Sequence, residues 1–302
     1  MLISSLPQVH EEELLMEMIE HPLVEAVRYN TGMDSAFSPK ETLARILEFS
    51  TPKAKPLYVD LKGMQLRVAE WAAPPFGAII LNHKIKVNLP AKVVFRGDDT
   101  CELKEIVGGN RIYVNPAPKF PVGKGQAINI LSKNLEIAEF FTENDYAYIK
   151  AAVSCGIDKF MLSFVESADY IKEFEKIAAS CGLNKFELVL KIESQAGVDF
   201  VRKADKRLFK KFPIMSARDD LMIQIGGLKM MEALKTIIEK DKNAICASRI
   251  FLGLEHGEVT FADICDLRLM QILGYKRFMF SDGISRKHFR EAIEFWEKYM
   301  AA

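Results

Sequence analysis

Eight short apolar runs separated by amphipathic stretches constrain the fold more than any other feature of this sequence. The runs cover residues 2–6, 24–29, 56–61, 159–165, 187–192, 213–217, 243–247 and 277–281. Each has the length of a strand buried on both faces, as the strands of a parallel sheet are. Between them, residues 11–19, 39–49, 143–152, 168–179, 229–239, 261–273 and 286–300 carry apolar side chains at three- and four-residue spacing, the pattern of a helix with one face on a core. Ser38 before Pro39, and Thr142 before Glu143-Asn-Asp145, read as helix caps. Gly226-Gly227 blurs the start of the helix near Lys229.

Alternating strands and helices of this kind predict an α/β fold, a (β/α)8 TIM barrel, which needs about 250 residues. The chain has 302, leaving room for an insertion. From about Val68 to Ala138 the texture changes: Lys84-Ile-Lys86-Val-Asn88 and Arg111-Ile-Tyr-Val114 alternate, and Gly108-Gly-Asn110 is a hairpin signal. The expected organisation is a barrel from 1–67 and 139–302 with a small inserted β-barrel domain at 68–138.

Charge narrows the partners. Lys plus Arg and Asp plus Glu balance at 41 each, so no overall field attracts nucleic acid or an anionic membrane, and a small-molecule substrate is expected. The five cysteines, Cys101, Cys155, Cys181, Cys246 and Cys265, lack metal-ligand spacing and read as reduced core residues. The first residues do not form a signal peptide and no long apolar run follows, so the cytoplasm is the expected compartment. His10 beside Glu11-Glu-Glu13 reads as a solvated first helical turn, and His256 with Glu258 falls short of a metal site.

In a parallel barrel, chemistry gathers at the C-terminal ends of the strands. Those ends carry Arg28 and Asn30, Asp60 and Lys62, Ser163, Lys191 and Glu193, Asp220, Ser248, and Ser281 with Asp282. Lys191 and Glu193, two apart on one strand, share a face and point into one space. Together with Asp220 they would bring a cation to metal-binding carboxylates. Ser281-Asp282-Gly283 reads as a simple turn, and Asp219 is either a turn cap or a functional carboxylate.

These segments resemble the pyruvate kinase family. Asp60-Leu-Lys62-Gly63-Met-Gln-Leu-Arg67 is similar to its DTKGPEIR, Arg28-Tyr-Asn30-Thr to RLNFS, Leu162-Ser-Phe-Val165 to LSFV, and Lys191-Ile-Glu193-Ser-Gln-Ala-Gly197-Val to KIENQEGV. Ala217-Arg-Asp-Asp220-Leu resembles ARGDL, Ala244-Ile-Cys-Ala-Ser248 resembles ICAT, and Phe278-Met-Phe-Ser281 resembles VMLS, all in order along the chain. The resemblance implies that the inserted domain is a lid and that Glu193 and Asp220 hold Mg²⁺ or Mn²⁺. It makes Lys191 the charge-neutralising cation, with Arg28 on the phosphate. Asn30 and Asp60 match positions that bind a monovalent cation, K⁺. Arg67 matches an arginine at the site entrance, and Ser248 a hydroxyl near the pyruvate methyl.

Departures accompany the matches. Gly32-Met33-Asp34 replaces Ser-His-Gly, Met64 a proline, Gln65 a glutamate, Asp219 the glycine of ARGDL, and Glu166 an arginine; Arg249-Ile-Phe-Leu-Gly-Leu replaces QMLESM. The chain ends soon after the eighth helix, where pyruvate kinases continue into an effector-binding domain, so regulation by that route and a family-like tetramer are not expected; a homodimer through the barrel stays open. The implied activity is phosphoryl transfer between phosphoenolpyruvate and a nucleotide. Two alternatives stand beside it: a metal-dependent lyase or decarboxylase acting on a 2-oxo acid, and a pseudoenzyme that binds such a ligand or a protein partner.

Overall fold

The computed structural model of the chain describes residues 1–74, 76–95 and 99–301. In chain order its strands are β1 (Leu2–Ser5), β2 (Ala26–Asn30), β3 (Leu57–Leu61), β4 (Ile79–Ile80), β5 (Ile85–Lys86), β6 (Ala91–Val94), β7 (Thr100–Val107), β8 (Arg111–Asn115), β9 (Asn129–Leu131) and β10 (Glu136–Ile137). These are followed by β11 (Lys159–Leu162), β12 (Glu187–Ile192), β13 (Ile214–Ala217), β14 (Ile245–Ala247) and β15 (Arg277–Met279). The helices are α1 (Glu12–Glu20), α2 (Pro39–Ser50), α3 (Glu143–Ser154), α4 (Ala168–Ser180), α5 (Gln195–Lys203), α6 (Lys206–Lys211), α7 (Arg218–Ile225), α8 (Gly227–Lys240), α9 (Phe261–Leu273) and α10 (Asp282–Ala301). Among the described residues, no helix is long and apolar enough to cross a membrane.

Two compact units emerge. The first comprises Met1–Thr31, Ser35–Leu61 and Ala147–Ala302. Here β1, β2, β3, β11, β12, β13, β14 and β15 pair in parallel and close a barrel, so all eight apolar runs are barrel strands. The expected (β/α)8 fold is the observed one. Its interior is filled from every strand: Ile3, Ala26, Tyr58, Met161, Val189, Met215, Ile245 and Met279 form one buried cluster. Each of these residues faces inward, and the period of two along a strand places the next inward position two residues further on.

Helix starts follow local chemistry. Ser38 and Glu41 complete the capping box of α2 ahead of Pro39. Ser194 and Ser167 cap α5 and α4 by accepting from backbone N–H groups in the first turn. Three helices lie where sequence periodicity marks none: α5, α6 and α7. They span nine, six and eight residues, too few turns for a periodic pattern to emerge. The last helix also starts earlier than 286, because Asp282 and Gly283 are already helical.

The second unit comprises Gly32–Asp34 and Lys62–Tyr146. Its five-stranded antiparallel sheet has the order β4-β8-β7-β6-β9, with β5 and β10 paired separately. Residues 67–72 bridge to Leu81 beside β4 and to Ala127 and Val122 ahead of β9. That segment joins the two open edges and curls the sheet around its own core, which includes Val68, Ile79, Leu81, Val93, Leu103, Ile112 and Ile130. Fully buried Asp145 accepts from the backbone N–H groups of Lys62 at 2.9 Å and Gly63 at 3.2 Å, fixing the turn after β3. Nothing in the local sequence marks Asp145 for this, since it reads only as an acid in a first helical turn.

The cysteine expectation needs correcting. All five are free, but only Cys101 and Cys246 are buried, and Cys265 is exposed. Cys265 lies on the outer side of α9, where helical period places an apolar-looking residue away from the core.

Candidate active site

The inward-facing positions one step beyond the apolar cluster of the barrel are polar. Two residues after Ile3, Ala26, Tyr58, Met161 and Val189 stand Ser5, Arg28, Asp60, Ser163 and Lys191. One further step gives Asn30 on β2 and Glu193 just past β12. Strand geometry alone therefore stacks charges on an apolar floor.

Arg28 and Asp60 form the centre of this layer. The Arg28 Nε donates to Asp60 Oδ2 at 2.8 Å, and Nη2 makes a second, shorter contact to the same oxygen. Arg28 Nη1 donates to Ser5 Oγ at 3.0 Å and to Asp282 Oδ1 at 2.5 Å. Burial opposes the guanidinium charge, yet Asp282 and Asp60 more than compensate and strengthen its hold on the proton. Asn30 Nδ2 donates to the other oxygen of Asp282 at 2.8 Å. Asp282 is thus a member of the site rather than part of a simple turn. Its carboxylate reaches the cluster because α10 begins three residues after β15, at the barrel end where the charges gather.

Lys191 lies between carboxylates. Its Nζ donates to Ser163 Oγ at 2.7 Å and lies 3.3 Å from Asp60 Oδ1 and 3.2 Å from Glu193 Oε1. Desolvation works against the ammonium, but Asp60 and Glu193 outweigh it and raise its pKa. Glu193 is raised as well, first by burial and then by repulsion from Asp220 and Asp60, with Lys191 pulling the other way. The Phe164 N–H donates to Glu193 Oε2 at 2.7 Å. Phe164 has a φ of 53°, a left-handed conformation that costs a side chain of its size roughly 1–3 kcal/mol and that turns its N–H onto the glutamate.

Glu193 is followed by Ser194 and Gly197, which explain the rest of the Lys-Ile-Glu-Ser-Gln-Ala-Gly segment. Ser194 Oγ accepts from Gly197 N at 3.1 Å and donates to the half-buried Glu166, whose carboxyl is pushed up by burial. A Cβ on Gly197 would stand 2.9 Å from the Val165 carbonyl oxygen and 3.2 Å from Ile192 Cγ2. Because the nearest obstacle is backbone, Gly197→Ala is expected to destabilise the barrel by roughly 1–3 kcal/mol despite the better helix propensity of alanine, read as a lowered thermal midpoint.

Asp219 and Asp220 open α7, where acidic residues suit the helix N-terminus. Asp220 acts electrostatically on both Lys191 and Glu193. Burial pushes the Asp219 carboxyl up, while Arg249, with Nη1 3.7 Å away, and Ser248 pull it down, so its partners are in the loop after β14. Arg218 pairs with Asp266 at 2.8 Å and donates through Nη2 to the Ser248 carbonyl at 2.7 Å. Ser248, Arg249 and Phe251 all have left-handed backbone, and Arg218 holds that turn closed.

Of the expected site residues, Arg28, Asn30, Asp60, Lys191, Glu193 and Asp220 therefore belong to one connected electrostatic cluster, and Ser248 joins Asp219 beside it. Arg67 belongs to the second unit. It donates to Gln65 Oε1 at 2.8 and 3.0 Å and to the carbonyls of Gly32 and Gly125. A Cβ on Gly32 would come within 2.4 Å of the Arg67 guanidinium carbon, so the Gly32-Met33-Asp34 departure is fitted to this arginine. Two further cations lie beside the site without having been expected in it: Arg218, the first residue after β13, and Arg249, the second after β14.

The family model for the pyruvate kinase barrel domain matches residues 86–281. Among curated proteins, the chain is similar to a pyruvate kinase of Debaryomyces hansenii, 26% identical over 189 residues that cover 60% of this chain and 36% of the relative. It is also similar to a pyruvate kinase of Thermoplasma acidophilum, 23% identical over 285 residues that cover 86% of this chain and 50% of the relative. The chain thus spans half the length or less of these relatives. A match over the larger part of the sequence, from β5 in the second unit to the end of the eighth barrel strand, means that the chain belongs to the pyruvate kinase family.

Proposed function

We propose that the barrel site transfers a phosphoryl group between phosphoenolpyruvate and a nucleotide with the help of a divalent cation. The observation that carries this reading is the buried row Arg28, Asp60, Lys191 and Glu193, two cations alternating with two carboxylates at the ends of β2, β3 and β12, with Ser163 after β11 filling the gap between the last two. Buried, fixed cations stabilise charge that develops on a transferring group far better than mobile solvent does. Lys191, pinned by Ser163 and Asp60, is placed to neutralise the phosphoryl oxygens or the enolate left behind. Arg28 is the phosphate anchor, with a planar guanidinium suited to oxygen pairs. Ser248 supplies a hydroxyl at the rim.

The residues present fit a divalent ion. Among the described residues no group of three or more His, Cys, Asp or Glu gathers to hold a metal. Magnesium needs no such cage, since it usually takes one or two carboxylates and completes its shell with water and substrate oxygens. Glu193 and Asp220 are those two carboxylates, and their mutual repulsion is what a cation between them would relieve. When bound, the ion would act as a Lewis acid on the substrate oxygens. Mn²⁺ at about 100 times its dissociation constant should stabilise the protein by ~2.7 kcal/mol. The expected result is a rise in thermal midpoint that Glu193→Gln removes; an equal rise in that variant would place the ion elsewhere.

A monovalent cation fits less well. Both oxygens of Asp60 already accept from Arg28, Lys191 and Ser163, and the Asn30 amide N–H points at Asp282. No step is assigned to such an ion.

A second reading rests on Asp282. Because its carboxylate sits on the phosphate anchor, the site also suits an unphosphorylated 2-oxo acid, with Lys191 stabilising an enolate during decarboxylation or carbon–carbon cleavage. One assay separates the two. Pyruvate formation from phosphoenolpyruvate that requires both ADP and Mn²⁺ supports the kinase; loss of a 2-oxo acid without nucleotide supports the lyase, and binding without turnover of either supports neither.

A further inference from the structure

We infer that Asp282 is a built-in competitor for the anion site: a displaceable carboxylate that occupies Arg28 and Asn30 and sets how tightly a phosphorylated substrate binds. This rests on the reading that Arg28 anchors phosphate. The two carboxylates on Arg28 are not equivalent. Asp60 is completely buried and takes the Nε and Nη2 edge, whereas the Asp282 side chain is 38% exposed and takes Nη1. Its two oxygens go separately to Arg28 at 2.5 Å and Asn30 at 2.8 Å, so one carboxylate spans both donors as two oxygens of a phosphate ester would.

The charges define the consequence. Arg28 and Lys191 are surrounded by Asp60, Glu193, Asp220 and Asp282, so an arriving dianion meets an excess of negative charge even before it finds a donor. A divalent ion offsets Glu193 and Asp220, but not Asp282. For a phosphoryl oxygen to reach Arg28 Nη1 and the Asn30 amide, the Asp282 side chain must swing out toward solvent. Its partial exposure gives it room to do so, which Asp60 lacks. Asp282 thereby discriminates by charge: it weakens a doubly charged phosphate ester more than a singly charged carboxylate ligand.

Calorimetric titration of the full chain with phosphoenolpyruvate in saturating Mg²⁺ tests this. Asp282→Ala should bind at least about tenfold tighter than wild type, since like charges in contact at a binding site are strongly unfavourable. Asp282→Asn keeps the shape of the helix start and should move the same way by less, which guards against an alanine variant that folds poorly. Formate, a free carboxylate small enough to refill the vacated position, should weaken phosphoenolpyruvate binding in Asp282→Ala while leaving wild type unchanged. A purely structural role would not produce that rescue. Equal affinities in wild type and both variants, or a gain that formate does not reverse, would overturn the role of Asp282 while wild-type binding keeps the substrate reading intact. If no variant binds phosphoenolpyruvate, the competitor role and the substrate reading fall together.

Discussion

Lys191→Met is expected to reduce phosphoryl transfer by at least about 10²–10³-fold in kcat, the usual cost of removing one fixed charge-stabilising group from a transition state. The effect has two parts that must be measured separately. Lys191 Nζ is the cation shared by Asp60 and Glu193, both buried, so its loss leaves two carboxylates facing each other with only Arg28 nearby. Removing one partner of a buried pair costs about 3–5 kcal/mol, softened here because a carboxyl can take up a proton. Glu193 is already raised by burial, and losing Lys191 raises it further. A carboxyl whose folded pKa exceeds its unfolded value binds more protons in the native state, so stability falls as pH climbs from the ordinary glutamate value through the raised one. Lys191→Met should therefore be closer to wild type in stability at mildly acidic pH than at neutral pH. Thermal midpoints across that range report the structural part; kcat under conditions where both proteins are folded reports the chemical part. Undiminished turnover in folded Lys191→Met protein would sink the phosphotransfer reading.

Arg28→Met should be the most destabilising single change in the barrel site. It strips Asp60 of the guanidinium that occupies its Oδ2 and leaves a fully buried carboxylate supported by Lys191 and Ser163. The expected loss is about 3–5 kcal/mol, which corresponds to roughly 5–10 °C in thermal midpoint for a chain of this length. Arg28→Lys should recover part of this, since it restores the charge but not the fork that bonds Asp60 through two nitrogens. Substituting Asp282, the more exposed partner of the same arginine, should cost no more than about 1 kcal/mol. A midpoint for Arg28→Met within 2 °C of wild type would mean that Asp60 finds other compensation and that the pair is not what holds this layer together.

The contrast shows what the sequence could convey. Strands were legible because a parallel barrel demands continuous apolar runs, and each of the eight became a strand. Lys191, Glu193, Arg28 and Asp60 were legible because strand ends in such a barrel have one place to point. Asp282 was not, since Ser-Asp-Gly is equally good turn chemistry, and only the third dimension shows a carboxylate meeting an arginine more than two hundred and fifty positions earlier. Asp145 escaped for the same reason: its caps are local but its grip on Lys62 and Gly63 is not. The short helices α5, α6 and α7 escaped for lack of length. The joining of the inserted sheet through residues 67–72 relies on isolated bridges, which leave no alternation to read.

The stacking of Ser5, Arg28, Asp60, Ser163 and Lys191 on Ile3, Ala26, Tyr58, Met161 and Val189 has a consequence for how such a chain can change over time. Residues that hold the barrel together and residues that handle ligands alternate along the same strands, two positions apart. Positions at the rim of this tier, such as 219 and 282 at the starts of α7 and α10, can change one substitution at a time while the tiers beneath continue to specify folding. Inheritance of the scaffold and drift of its chemistry are thereby separated by a single pleat.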